Sequence, residues 1–400
     1  GNDKVYLRAA PGAIGRALAA TAAAAPAPPP VVTAVREPAG ADGFNQRGYV
    51  RLQTNDLDGA AADFDRAAAL NPHWSRPIAN TAIVLIHRGR YDEAEAALAR
   101  AAALDANDFV VPQGRGMIQL ARQRPIPAIV AFSRSLELDP GNSFTLMQRA
   151  IAYQQAGDLD DALADLDSIL SSQPNHKGAL AARARLHAWR GEADPALADA
   201  DAIVAQDPHD PAALYQRAEI LRRIGRTERA NAAYAEALAA LDARAAGAPA
   251  RAAEYDELRS LIYSASGQTA RAIALIDAQL AHRADDPTLL NERCWARATA
   301  NQELNLALAD CEHALARSRD DPAILDSRAF VKLRMGQYDG AIADEDAALA
   351  HSPNLPAALY TRGIARLRKG DREAGERDLA AARRLAYDID ATYRGYGVTP

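Results

Sequence analysis

Cysteine is almost missing from this sequence: Cys294 and Cys311 are the only two in 400 residues. That excludes a disulfide framework and a cysteine-rich zinc module, and leaves either one bridge or two packed thiols. Aromatic residues are scarce, at 6%, and lysine occurs only at Lys4, Lys177, Lys332 and Lys369. An excess of positive charge is also lacking. Forty-six basic against 52 acidic residues leave a formal charge of -6, so the basic surface needed for non-specific phosphate binding is absent and no nucleic acid is expected as a partner. The most apolar helical stretch, 78–86, contains Asn80 and Thr81 and is too short for a membrane span.

Familiar chemistry is missing too. The sequence holds no Walker loop, no G-x-G-x-x-G after a strand, no H-E-x-x-H, no G-x-S-x-G and no EF-hand loop. Its eight histidines, at 73, 87, 176, 187, 209, 282, 313 and 351, are scattered without ligand spacing. The acidic clusters 207–210 and 344–346 read as turn residues and solvated helix faces. No catalytic residue, metal site or cofactor is expected, and the chain does not read as an enzyme.

What is abundant is alanine, about a quarter of the chain, which suits helices packed closely through small side chains rather than sheets of β-branched and aromatic residues. The expected class is all-α. Arginine carries nearly all the positive charge, as is common in proteins from GC-rich bacterial genomes, so a bacterial source is expected.

The alanines mark a period. Ala60, Ala94, Ala128, Ala162, Ala196 and Ala230 stand 34 residues apart, and the series continues at Ala272, Ala307, Ala341 and Gly375 at intervals of 42, 35, 34 and 34. Five positions before the marker stands Gly89, Gly157, Gly191, Gly225, Gly267, Gly336 or Gly370; twelve after it stands Pro72, Pro140, Pro174, Pro208 or Pro353. The glycine can close a first helix in the left-handed conformation, and the proline forbids continuation of a second. Ten helix-turn-helix units follow, with the small marker where the two helices come closest.

This pattern resembles the tetratricopeptide repeat: a small residue at position 8 (Gly48, Gly116, Ala150, Ala184, Gly363), alanine at 20, a bulky residue at 24 (Phe64, Leu98, Phe132, Leu166, Tyr234) and proline at 32. The resemblance covers about residues 41–389 and implies a right-handed superhelical α-solenoid. Unit three, with Pro125 and Pro127 at its helix junction, and unit five, with Ala200 at the bulky position, fit least well. Along the chain we expect an Ala/Pro-rich linker or arm at 1–40, units one to six at 41–247, an inserted loop at 248–252 after a lengthened helix, units seven to ten at 253–389, and a cap or tail at 390–400. A hinge between the six-unit and four-unit blocks is the alternative reading of the insert. The start at Gly1 reads as that of a processed or truncated product.

Stacking the units aligns rows of residues. Arginine stands thirteen or fourteen positions before the marker in nine units: Arg47, Arg115, Arg149, Arg183, Arg217, Arg259, Arg293, Arg328 and Arg362. Aspartate stands three after it at Asp63, Asp165, Asp199, Asp310, Asp344 and Asp378, so internal ion pairs are expected, each exposed pair contributing about 0–1 kcal/mol. Arg115, Arg217 and Arg259 lack that aspartate and are the better candidates for outside contacts. In the tetratricopeptide family the first helices line a concave groove, which by resemblance assigns ligand contacts to Tyr49, Met117, Met147, Tyr215, Leu261, Asn291, Trp295, Asp326, Phe330 and Tyr360. Mutual covering of neighbouring first helices is the competing reading. Replacing Trp295 and Phe330 by aspartate is expected to abolish partner binding with helix content unchanged. Cys294 and Cys311, at facing positions 8 and 24, are expected to be buried.

The strings FNQRGYVRL (44–52), NERCWARA (291–298), LALADCEHAL (306–315), LDSRAFVKLRMGQYDGAIAD (325–344) and YGVTP (396–400) resemble the carboxy-terminal repeat region of bacterial envelope proteins that carry an amino-terminal transglutaminase-like domain. That resemblance implies a periplasmic or secreted setting, a more plausible bridge between the cysteines, and a recruiting role beside an enzyme; a cytoplasmic setting is the alternative. The resulting expectation is a non-catalytic scaffold binding an extended peptide or protein segment, with self-association through the solenoid ends as a further alternative.

Overall fold

The computed structural model describes residues 38, 40–248, 255–386 and 388–400. The arm expected over residues 1–40 and the inserted loop at 248–252 therefore lie almost wholly outside the described residues. Among those described there are twenty-one α-helices and no strand. The chain divides into two compact units, the first ending at Arg183 and the second running from Ala184 to Pro400.

The first unit holds four helix hairpins: α1 (Gly40–Gln53) with α2 (Leu57–Leu70), α3 (Ser75–His87) with α4 (Tyr91–Leu104), α5 (Val110–Ala121) with α6 (Pro125–Leu138), and α7 (Ser143–Ala156) with α8 (Leu159–Ser172). The division between the units falls inside α9 (Lys177–Trp189), the first helix of hairpin five, whose second helix is α10 (Ala193–Gln206). Hairpins six to ten are α11 (Pro211–Arg223) with α12 (Thr227–Gly247), α13 (Asp256–Ala265) with α14 (Thr269–Leu280), α15 (Pro287–Thr299) with α16 (Leu304–Arg317), α17 (Pro322–Arg334) with α18 (Tyr338–His351), and α19 (Pro356–Lys369) with α20 (Arg372–Leu385). A short helix, α21 (Ile389–Gly395), follows.

The expected punctuation marks work as local chemistry requires. All seven marker glycines have φ between 73° and 92°, the left-handed region in which a Cβ is strained. In hairpins one, three and eight the same turn is made by Asn55, Gln123 and Asn301, at φ 63°, 57° and 55°. The acidic turn residues cap helix starts, as when the Asp286 carboxylate accepts from the N–H groups of Thr288 and Leu289. Pro125 does not disrupt hairpin three, because α6 begins on it, where its missing N–H has no bond to lose.

Small and bulky positions interlock within each hairpin. A Cβ on Gly116 would lie 2.5 Å from the Phe132 ring, and one on Gly48 2.7 Å from Phe64. In hairpin eight a disulfide fills that slot: Cys294 and Cys311 are joined, both fully buried, with Cα atoms 5.7 Å apart. The insert appears as a lengthened α12, 21 residues against 14 in most second helices. Its Leu241 packs in one core with Tyr255, Leu258 and Ile262.

Candidate binding face

The arginine row is internal. Arg47, Arg149, Arg293, Arg328 and Arg362 each grip the expected aspartate with two nitrogens at 2.6–3.0 Å. Those carboxylates are not the exposed groups expected from sequence; their side chains keep only 3–9% of their accessibility, because they sit between the two helices of the hairpin. The same row also reaches back one hairpin. Arg183 binds Asp167 at 2.5 Å, Arg217 Asp201 at 2.6 Å, Arg293 Asp277 at 2.5 Å and Arg362 Asp346 at 2.7 Å. These acids stand five after the marker of the preceding hairpin, a spacing readable in the sequence but not used. The three arginines kept for outside contacts are engaged as well, Arg115 with Glu95, Arg217 with Asp201 and Arg259 with Asp242 and Asp256. Second helices therefore supply a carboxylate wherever the hairpin's own aspartate is missing.

In the first unit the expected ligand contacts are unevenly covered. Tyr49 on α1 is 47% exposed, whereas Met117 on α5 and Met147 on α7 are buried. Amides along the row bridge neighbouring first helices, with Asn80 Nδ2 donating to Asn45 Oδ1 at 2.9 Å and Gln113 Nε2 to Thr145 Oγ1 at 3.0 Å. That is the mutual covering weighed from sequence.

In the second unit Leu261, Asn291 and Trp295 are partly buried, while Tyr215, Asp326, Phe330 and Tyr360 are buried. What covers three of the aromatics is the segment after hairpin ten. Tyr393 of α21 lies 4.4 Å from Tyr360 and 5.6 Å from Phe330 by ring centroids. Tyr396 stands edge-on to Trp295 at 5.7 Å and against Phe330 at 5.9 Å. The Tyr393 hydroxyl donates to the Ala357 carbonyl at 3.0 Å and meets Thr361 Oγ1 at 2.8 Å, and Tyr360 donates to Asp390 at 2.6 Å. Arg334 donates to the Tyr396 carbonyl, Arg368 to that of Thr399 at 3.1 Å, and Arg223, 165 positions upstream, to Asp388. Burial pushes the Tyr396 hydroxyl up to about 12. Sequence reasoning assigned this stretch to a cap or tail; no periodicity announces its contacts.

Beneath the segment lies a pair of carboxyl groups. Glu345 on α18 is fully buried and Asp326 on α17 is 9% exposed; neither Glu345 oxygen, nor Asp326 Oδ1, meets a donor from any other group, and the two carboxyl groups bond each other. Burial pushes Asp326 up to about 7 and, with the Asp326 charge, Glu345 well above the usual carboxylate range. The reading of 344–346 as a solvated face is thus corrected for Glu345 and for Asp344, which is buried against Arg328 and Lys332. The overlooked signal is positional: Glu345 stands four after its marker, where Phe64 and Phe132 stand in other hairpins.

Among the described residues no group of three or more His, Cys, Asp or Glu side chains is arranged to hold a metal ion. His176 Nδ1 accepts from the Ala179 N–H at 3.0 Å at a helix start, and His313, within α16, meets Asp285 at 2.9 Å. No helix among the described residues is long and apolar enough to cross a membrane.

Residues 51–111 match the family model of the tetratricopeptide repeat. No curated protein matches the chain significantly. Among known structures it is similar to a tetratricopeptide repeat protein from Parabacteroides merdae, at 16% identity over 73% of this chain and 98% of that one, TM-score 0.43. Yeast Tom70 is similar at 13% identity over 90% and 88%, TM-score 0.46. YrrB, described as a TPR protein with an unusual peptide-binding site, is similar at 20% identity over 44% and 90%, TM-score 0.32. These are likenesses of fold; the ten hairpins carry the description of this chain as an all-α repeat protein.

Proposed function

We propose that this chain is a non-catalytic scaffold that binds an extended segment of another protein along its first helices. The observation that carries the reading is the second unit's first-helix face, where Trp295, Phe330, Tyr360 and Arg334 already hold a stretch of polypeptide by ring contacts and by bonds to its backbone. Aromatic floors with a few backbone-directed donors are what protein recognition uses, and stacked hairpins present them at little ordering cost. Tyr49, still exposed on α1, extends the reading to the first unit.

Affinity capture from extracts of the source cell tests this reading, using the chain and a variant carrying Tyr49→Asp and Trp295→Asp. A protein retained by the first and lost from the variant, with helical circular dichroism equal in both, supports the assignment. Equal retention by both removes the first helices as the site. The buried Cys294–Cys311 bridge favours an oxidising compartment, the periplasm or the exterior of a bacterial cell. A chain isolated from its native compartment with both thiols alkylatable before reduction would contradict that.

A further inference from the structure

Residues 388–400 do not form an eleventh hairpin. Helix α21 has seven residues and no second helix; besides the pair from Arg383 of α20 to Asp390, the segment contacts first helices of hairpins six, eight, nine and ten instead of stacking on hairpin ten alone. It is a single layer. Ile389, Tyr393 and Val398 are buried, while Ala391, Arg394, Gly395 and Gly397 remain exposed. Held by three buried side chains, the Tyr396 ring and side-chain bonds through Asp388, Asp390 and Tyr393, this layer has no second helix over it and opens at less cost than the paired helices beneath.

We propose that residues 388–400 are a displaceable self-ligand of this face, and that the external ligand of the second unit is a protein segment of the same chemistry. That chemistry is an acidic residue followed, five and eight positions on, by two aromatic residues one helical turn apart, as in Asp388, Tyr393 and Tyr396. Arg223 selects the acid at one end. Trp295, Phe330 and Tyr360 take the rings, and Arg334 takes a backbone carbonyl. Joined directly to hairpin ten, the self-ligand competes at an effective concentration on the order of millimolar, so an external segment must outbind it or arrive in high local concentration. The inference rests on the scaffold reading above and adds to it the ligand's chemistry and a built-in competitor.

The test titrates a fluorescent synthetic peptide of residues 388–400 against the full chain and against the full-length variant Asp388→Arg, Tyr396→Ala, followed by anisotropy. The variant, whose own segment has lost the Arg223 pair and the Tyr396 ring, should bind the peptide at least tenfold more tightly than the parent, and a peptide carrying Tyr396→Ala should lose that binding. Equal affinity for both chains, or no binding to either, overturns the proposal. So does loss of helical circular dichroism in the variant, which would make the segment part of the core. Hydrogen exchange on the unmodified chain decides independently of any variant: amides of 396–398 should exchange at least tenfold faster than those of α17 and α19, and equal protection contradicts displacement. Tight peptide binding together with failed affinity capture would reject the scaffold reading while leaving the self-ligand intact.

Discussion

Arg328 shows why the arginine row belongs to the fold and not to a ligand. Its guanidinium is bidentate to Asp344, whose side chain keeps 7% of its accessibility. Removing the arginine leaves Asp344 with Lys332 at 2.7 Å as its remaining cation, so Arg328→Ala should cost about 1.5–3 kcal/mol, the worth of hydrogen bonds to a charged group, and not the larger loss of a stranded carboxylate. Arg372→Ala, which removes an exposed pair with Glu376 on α20, should leave the melting temperature unchanged. Similar losses for both variants would contradict the distinction. Asp326 gives the opposite sign of charge effect. Between about pH 4 and pH 7 the folded chain keeps a proton on this carboxyl that the unfolded chain has lost, so folding stability falls as pH rises through that window. One such group contributes a slope of up to about 1.4 kcal/mol per pH unit. Urea midpoints at pH 5 and pH 7.5 should show Asp326→Asn gaining on the parent at the higher pH; a constant difference between the two would contradict the assignment.

Among the elements, the hairpin turn is the most legible from sequence and also the most correctable. Seven turns use glycine where φ is positive, and three place a side chain there. Gln123 is the costliest of these, since its Nε2 is buried without a partner. Gln123→Gly should stabilise hairpin three by roughly 0.5–1 kcal/mol, the relief of left-handed strain less the larger unfolded-state entropy of glycine; thermal melts would show an unchanged or lower midpoint if the strain is not there. The helices were legible because most hairpins solve the same packing problem with the same small and bulky positions. Hairpin nine departs from that solution with Glu345 at the bulky position, and composition alone made it look like one more solvated acid. Hairpin eight departs with a cystine, and sequence left bridge and packed thiols both open.

At the scale of the whole molecule, the two compact units differ in how much of the first-helix face is left uncovered. In the first, Tyr49 stays exposed while Met117 and Met147 are buried, and in the second Trp295, Phe330 and Tyr360 are covered by residues 388–400. Repetition made the row visible in the sequence, since a 34-residue period aligns it directly. The cover was not visible, because Arg223 and Asp388 are 165 positions apart and Tyr393 and Tyr396 lie beyond the last repeat. Burial therefore had to be read from packing, and it turned a surface expected to be open into one already occupied in the second unit.

Site-specific photocrosslinking tests the central claim, that partners engage first helices, most directly. A photoreactive phenylalanine analogue replaces Tyr49 on α1 in one chain and Val130 on α6, a second helix with 65% exposure at that position, in another. Crosslinked partner from position 49 and none from position 130, in extracts of the source cell, is the expected result. Adducts from position 130 alone would move binding to the second helices and contradict the account.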